Sequence, residues 1–298
     1  MRALVTGAKG FVGSWLTAYL RDEGDDVVGI DREVDINDGS AVADAIVAAA
    51  PEAIYHLAAQ ANVGQSWVEP EEVLRVNAVG TLHVLEAARA CPRPPRVLLT
   101  SSAEVYGAVV ESQLPVTEAT PLAPVTPYAA SKVAAEYLGV QAHLAYGLPV
   151  VRVRPFNHVG PGQSSGFVVA ALAARIVEAT RVGAADIPVG NLEARRDLTD
   201  VRDIVRAYRS LVLSGTPGEV YNVCSGRDVA IADVAARLLR LADSDLALVA
   251  DPELMRPVDV PVVRGDPTKL FEATGWRPRF ELDTTLRDVL DQWRQKVA

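Results

Sequence analysis

The sequence predicts an α/β fold, a doubly wound parallel sheet with a smaller second lobe, from three observations. Short apolar runs recur with helical stretches between them, the pattern of right-handed βαβ units whose parallel sheet is buried on both faces. A glycine loop, Gly7-Ala-Lys-Gly10-Phe-Val-Gly13, follows the strand-like Ala3-Leu4-Val5. Far downstream, Tyr128 and Lys132 stand four residues apart in Tyr-Ala-Ala-Ser-Lys, where a helix would put them on one face.

In chain order, the first strand runs into the glycine loop and a helix expected over Ser14 to Glu23, and a second strand, Asp26 to Ile30, ends on Asp31. A glycine loop opening a helix places backbone N–H groups and the helix dipole on a cofactor pyrophosphate, and an acidic residue after the second strand suits ribose recognition. Further strands are expected at Ala53 to Leu57, Arg96 to Thr100, Val150 to Val153 and Val220 to Val223. Alanine-rich helices are expected over Ser40 to Ala50, Val79 to Ala90 and Ala129 to Ala145. Pro92 to Pro95 ends one helix, and the stretch from Pro121 to Pro127 makes a stiff approach to Tyr128. Past residue 155 the rhythm changes to a loop-rich passage with Pro155, Gly160, Pro161, Gly162 and Gly166. Isolated helices, Phe167 to Thr180 and Asp228 to Asp243, follow with short strands. Residues 1–155, with segments returning from the second half, thus read as a Rossmann-like dinucleotide domain, and 156–298 mainly as the second-substrate lobe.

With 298 residues the chain can bury a full core. No run approaches the roughly 20 apolar residues a spanning helix needs, and no signal-peptide pattern is seen. The balance of 29 basic and 38 acidic residues, net −9, disfavours nucleic acid as a partner. The two cysteines, Cys91 and Cys224, match no metal or redox spacing, so the expectation is reduced thiols in a cytoplasmic enzyme with no nucleic-acid or membrane partner and no metal.

Residue types then suggest chemistry. The Lys132 ammonium beside the Tyr128 phenol would favour phenolate and lower its pKa, giving a group that passes protons near a nicotinamide. Ser102 ends the strand of Leu98-Leu-Thr-Ser-Ser102 and reads either as a turn cap or as a hydroxyl orienting the reacting oxygen. Glu104 is either a carboxylate base or a solvated loop charge. His56-Leu-Ala-Ala59 suits close backbone approach to a cofactor or tight packing. Asn77 reads as a helix cap or a contact. Arg195, Arg196 and Arg256 are candidate cations for a diphosphate, each with a solvent-facing alternative. His158 has no second histidine at metal spacing and reads as structural.

Taken together, the chain resembles the extended short-chain dehydrogenase/reductases nearly end to end. The motifs are Thr6-Gly-Ala-Lys-Gly-Phe-Val-Gly13, His56 to Ala59, Thr100-Ser-Ser-Ala-Glu-Val-Tyr-Gly107 and Tyr128 to Lys132. More specific are Arg154-Pro-Phe-Asn-His-Val-Gly-Pro-Gly-Gln163, Asn191 to Asp197, Asp200-Val-Arg-Asp203, Tyr221 to Gly226 and Arg256-Pro-Val-Asp259. These resemble the GDP-mannose branch, and within it the GDP-4-keto-6-deoxy-D-mannose reductases. The resemblance implies a homodimer acting on a GDP-sugar with NAD or NADP in reduced form, and Ser102, Tyr128 and Lys132 as catalytic residues with Glu104 as a further candidate. It implies cofactor contacts from Gly7, Gly10, Phe11, Val12, Gly13, Asp31, Arg32, Asp35, Ile36, Leu57, Ala58, Ala59, Asn77, Tyr128, Lys132, Pro155 and His158. Ser102, Asn157, Arg196, Arg256 and Asp259 would meet the nucleotide sugar. Asp31 favours a free ribose 2′-hydroxyl and Arg32 a 2′-phosphate, leaving NAD and NADP both open. Ala103 stands where dTDP-glucose 4,6-dehydratases carry an acid. GDP-mannose 4,6-dehydratases do not need that acid, so they stay an alternative, as does a 4-epimerase. A non-enzymatic dinucleotide sensor is a remoter one.

Overall fold

The structure, a computed structural model, describes residues 1–255 and 260–297. The first half runs β1 (Arg2–Thr6), α1 (Phe11–Asp22), β2 (Asp26–Ile30), α2 (Gly39–Ala49), β3 (Ala53–His56), α3 (Val63–Val68) and α4 (Pro70–Leu74). A π-helical turn over Arg75–Val79 leads into α5 (Gly80–Ala90), followed by β4 (Arg96–Thr100), α6 (Pro127–Tyr146) and β5 (Val150–Pro155). The second half runs β6 (Asn157–Val159), α7 (Val168–Val182), β7 (Asp186–Val189), β8 (Arg195–Asp200), α8 (Val201–Ser214), β9 (Val220–Val223) and β10 (Asp228–Ala230). It closes with α9 (Ile231–Ala242), β11 (Ala247–Ala250), β12 (Val262–Val263), α10 (Thr268–Thr274) and α11 (Leu282–Val297).

Six strands form one sheet in the order β2-β1-β3-β4-β5-β9, every neighbouring pair parallel. Side chains alternate across it as strand geometry requires. Ala3, Val5, Tyr55, Leu98 and Val153 pack with α1, α8 and α10 through Leu16, Leu20, Ile204, Tyr208 and Leu270. Leu4, Ile54, Val97, Leu99 and Val150 face α2, α5 and α6 through Val42, Ile46, Val84, Leu85 and Ala142. Burial on both faces explains why these strands read as continuous apolar runs rather than alternating ones. The chain starts one strand in from the edge of the sheet, moves out to the edge strand β2 and returns to β3 on the other side of β1. The crevice at this reversal is where open α/β sheets bind ligands.

A second core joins α7, α9 and α11 through Leu172, Ile176, Val234, Leu238, Leu286 and Val289. Strand β8 is its hub, pairing parallel with β6 and β12 and antiparallel with β10, while β7 pairs with β11. Because β9, α8 and α10 lie in the first core, segments of the second half do return to the main sheet.

Several boundaries differ from expectation. Helix α1 begins at Phe11, directly on the glycine loop, because Gly10 is extended and serves as its N-cap. The helix expected from Asp228 begins at Ile231, since Asp228–Ala230 is claimed by pairing with β8. The helix expected from Val79 is the continuation of α4 through the π-helical turn.

Candidate active site

The glycine loop is shaped by close approach. Gly7 has φ +70°, and a Cβ there would come within 2.9 Å of the Ala58 nitrogen, so the loop lies against the His56 to Ala59 segment across the crevice. A Cβ on Gly13 would stand 2.0 Å from the Gly7 carbonyl oxygen and 2.9 Å from the Ala8 Cα. Both obstacles are backbone and cannot swing aside. Gly13→Ala is therefore expected to open the loop, costing about 1–3 kcal/mol of stability and weakening dinucleotide binding; a urea melt and a titration with NADPH would check it.

The cradle fits a dinucleotide. The N-cap of helix α1, Gly10, makes no side-chain cap bond, as suits a helix N-terminus that takes a pyrophosphate. The Asp31 carboxylate at the tip of β2 accepts the Lys9 N–H at 2.8 Å and the Arg32 N–H at 3.0 Å, which fixes it beside the loop, and Arg32 is exposed next to it. Ile36 lies under Gly80, and its carbonyl is 2.9 Å from His83 Nδ1; Asp35 is exposed in the same turn. Leu57 and Ala58 are held by their N–H groups on Thr6 Oγ1, both at 3.1 Å. Phe11 stacks on the half-buried His158 with ring centroids 6.0 Å apart and planes 12° apart, joining the loop to the Pro155–His158 segment. His158 Nδ1 is 3.0 Å from the Phe156 carbonyl, so its role includes the backbone one expected.

Asn77 is no helix cap. It lies buried inside the π-helical turn, accepting the Gln60 N–H at 2.7 Å and donating to Ser131 Oγ at 2.8 Å. Such turns recur at functional sites because the added residue swings a side chain off the helical repeat.

Tyr128 and Lys132 occupy the first turns of α6, whose N-cap Thr126 accepts the Ala129 N–H at 3.0 Å and whose Pro127 suits the first turn. Both side chains are buried. The turn-cap reading of Ser102 is borne out. This serine caps the 3-10 turn Ala103–Tyr106, accepting the Glu104 N–H at 3.2 Å, and its hydroxyl hydrogen-bonds the Tyr128 phenol. One expectation is corrected. Burial pushes the Tyr128 phenol up to about 12; the Ser102 bond only partly offsets this, and the nearby Glu104 charge adds to it. Lys132 does not lower it, because its ammonium donates to the Thr100 carbonyl at 3.0 Å and burial pushes its own pKa down to about 8. The half-buried Glu104 thus lies within electrostatic reach of Tyr128 rather than out in solvent.

Sequence reasoning missed the polar network beneath α6. Glu136, one turn beyond Lys132, is fully buried and accepts from Arg154 Nε at 3.0 Å, Arg154 Nη2 at 2.6 Å and Arg152 Nη1 at 3.2 Å. Arg154 also donates to the Tyr106 hydroxyl, which donates to Asn222 Oδ1 at 2.6 Å. Burial alone would depress the Arg154 pKa; Glu136 more than reverses that. The signal was present in Val-Arg-Val-Arg, two arginines at alternate positions of an interior strand, which demand a buried partner.

On the second lobe, exposed Asn157 begins β6, and Arg195 and Arg196 begin β8. Arg195 pairs with Asp228 at 2.5 Å, and Arg196 Nη1 donates to the Val260 carbonyl at 2.8 Å. Arg256 and Asp259 lie outside the described residues. Two acids of the Asp200-Val-Arg-Asp203 motif are fasteners. Asp200 accepts from Arg202 and Thr285, and Asp203 accepts the N–H groups of Arg279 and Phe280. Among the described residues, no helix is long and apolar enough to cross a membrane.

The model of the family described as GDP-mannose 4,6 dehydratase matches residues 32–289. GDP-6-deoxy-D-mannose reductase of Pseudomonas aeruginosa is 37% identical over 299 residues, covering 99% of this chain and 98% of that protein. GDP-mannose 4,6-dehydratase of Yersinia enterocolitica is 28% identical over 348 residues, covering 97% and 92%. Among solved structures, RMD from Pseudomonas aeruginosa complexed with NADPH matches with a TM-score of 0.91 at 36% identity over 99% of this chain and 100% of that one. UDP-glucose 4-epimerase with UDP-glucose from Thermotoga maritima matches with a TM-score of 0.92 at 27% identity over the whole of both chains. With the glycine cradle, the Ser102, Tyr128 and Lys132 cluster and this end-to-end likeness agreeing, the chain is an extended short-chain dehydrogenase/reductase and belongs to the GDP-mannose 4,6-dehydratase family.

Proposed function

We propose that this chain is an NAD(P)H-dependent reductase that reduces the C4 keto group of GDP-4-keto-6-deoxy-D-mannose to give a GDP-6-deoxyhexose. The observation that carries the reading is the likeness to GDP-6-deoxy-D-mannose reductase, 37% identical over 99% of this chain and 98% of that protein, with the buried Tyr128 phenol as the proton donor. A ketone reduction consumes a proton, whereas a 4-epimerase or a 4,6-dehydratase must first remove one from the C4 alcohol. Burial favours the neutral phenol, the form that can supply that proton. The comparisons support the same direction. The alignment to the reductase takes 299 positions for a 298-residue chain, while those to four dehydratases take 336 to 348, so the dehydratases carry stretches that this chain lacks.

In this reading Gly7, Gly10 and Gly13 with the start of α1 hold the pyrophosphate, and Asp31 with Arg32 meets the adenosine ribose. The bound nicotinamide supplies the hydride. Ser102 orients the carbonyl oxygen, Tyr128 donates the proton to it, and Lys132 binds the nicotinamide ribose side of the site from the Thr100 strand end. Asn157 and Arg196, with Arg256 and Asp259, contact the nucleotide sugar, and the second lobe is the sugar-nucleotide side of a cleft shared with the dinucleotide domain. The exposed Leu74, Val79, Tyr137, Leu144 and Tyr146 on the neighbouring α4–α5 and α6 helices supply the apolar face for a homodimer, which sedimentation would measure.

The test is incubation with GDP-mannose, and separately with its 4-keto-6-deoxy product, following the absorbance of stoichiometric NADH or NADPH. Net oxidation of the reduced cofactor by the keto sugar is expected, and turnover of GDP-mannose without net oxidation would replace the reductase with the dehydratase. Glu104→Gln separates the two further. A reductase has no C5 proton to remove, so the variant is expected to keep kcat within about tenfold. A dehydratase deprived of its base would lose about 10²–10⁴-fold. Glu104-dependent exchange of the C5 hydrogen in deuterated solvent, with 6-deoxy product formed from GDP-mannose, would overturn the reading.

A further inference from the structure

His56 ends β3 and is buried between two threonines, with Nδ1 2.8 Å from Thr6 Oγ1 and Nε2 3.0 Å from Thr81 Oγ1. The proton positions follow from the partners. Thr6 Oγ1 accepts the N–H groups of Leu57 and Ala58, so both its lone pairs are used and its one proton goes to His56 Nδ1. At the other end, the Thr81 hydroxyl proton goes to the Asn77 carbonyl at 2.6 Å, so Thr81 must accept from the histidine. Both ends independently require a neutral imidazole with its proton on Nε2. A second ring proton would face an oxygen with no lone pair left, and burial, with the Lys132 charge adding to it, holds the imidazolium pKa down to about 3.

The chain of bonds has a direction and two destinations. One arm runs through Thr6 to the Leu57 and Ala58 backbone, the wall against which Gly7 lies. The other runs through Thr81 to Asn77 in the π-helical turn. From there it continues through the Asn77 amide to Ser131 at 2.8 Å, which donates to the Tyr128 carbonyl at 2.7 Å. The dinucleotide cradle and the helix bearing the acid are therefore spaced through one ring.

We propose that His56, as the neutral Nε2–H tautomer, is a positioning residue that sets the glycine loop and the Tyr128 helix relative to each other. The proposal rests on the reading of Tyr128 as the acid and of the glycine loop as the dinucleotide site. It assigns separable effects to the two arms. Thr81→Val cuts the helix arm and leaves the Thr6 arm intact, so kcat is expected to fall roughly tenfold or more while the NADPH dissociation constant stays within about threefold. Thr81→Ser, which keeps the hydroxyl, is expected to recover kcat relative to Thr81→Val. His56→Gln keeps an amide donor for Thr81 but offers nothing at the Nδ1 position, so its NADPH dissociation constant is expected to rise about tenfold, with the smaller effect on kcat.

The direct measurement is long-range ¹H–¹⁵N NMR of the wild type, which needs no substrate. His56 should show a protonated Nε2 and an unprotonated Nδ1. A proton on Nδ1, a doubly protonated ring, or Thr81→Val and His56→Gln changing kcat and NADPH affinity in the same proportion would overturn the proposal. Should the wild type bind NADPH yet reduce no GDP-4-keto sugar, the functional reading fails. The tautomer and the affinity shift of His56→Gln still decide this inference.

Discussion

Tyr128→Phe is expected to lower the rate of ketone reduction by about 10²–10⁴-fold while leaving the NADPH dissociation constant within about threefold. The aromatic body stays in its buried place, and only the hydroxyl that meets Ser102 is lost. Single-turnover absorbance separates hydride transfer from binding. Lys132→Ala should damage both quantities, because its ammonium holds the end of β4 through the Thr100 carbonyl as well as lining the site. A Phe variant within about tenfold of wild type would show that the proton comes from elsewhere.

The second large effect is on stability. Arg154→Met would leave the fully buried Glu136 with Arg152 as its remaining cation at 3.2 Å, and would leave Tyr106 without its arginine. A buried charge deprived of its main partner costs about 3–5 kcal/mol, so the urea midpoint should drop sharply. Pairing the change with Glu136→Leu removes the orphaned carboxylate and should recover much of the loss, since apolar replacement of a buried ion pair is often neutral. If the single variant is as stable as wild type, the network is not holding α6 to β5.

What could be read beforehand was local. Glycine spacing, a strand before it, an acidic residue after the next strand and a proline-led helix bearing Tyr128 are each set within a few residues, and the structure has each in place. What could not be read depends on residues brought together from afar. Glu136 meets Arg154 across 18 positions, and Asn77 meets Ser131 across 54. The lowering of the Tyr128 pKa by Lys132 followed from helix spacing alone, and it fails because burial outweighs a neighbour whose proton is committed to Thr100. Asp200 and Asp203 belong to the motif that helped identify the family, yet they fasten α8 to the C-terminal helix and its approach. A motif can mark ancestry through architecture as readily as through chemistry.

The π-helical turn at Arg75–Val79 makes chain length, rather than residue identity, the sensitive variable in this helix. Each residue of an α-helix advances about 100°, and a π-turn holds one residue more than the α-helical repeat allows. Deleting Ala78 or Val79 would let the segment close as unbroken α-helix with its backbone bonds satisfied. The helix upstream would then rotate by about that angle relative to α5, carrying the Asn77 amide away from Gln60 and Ser131, and Leu74 onto another face. Such a deletion removes no catalytic group. It would alter the site through rotation alone, a change that no comparison of residue types position by position would reveal.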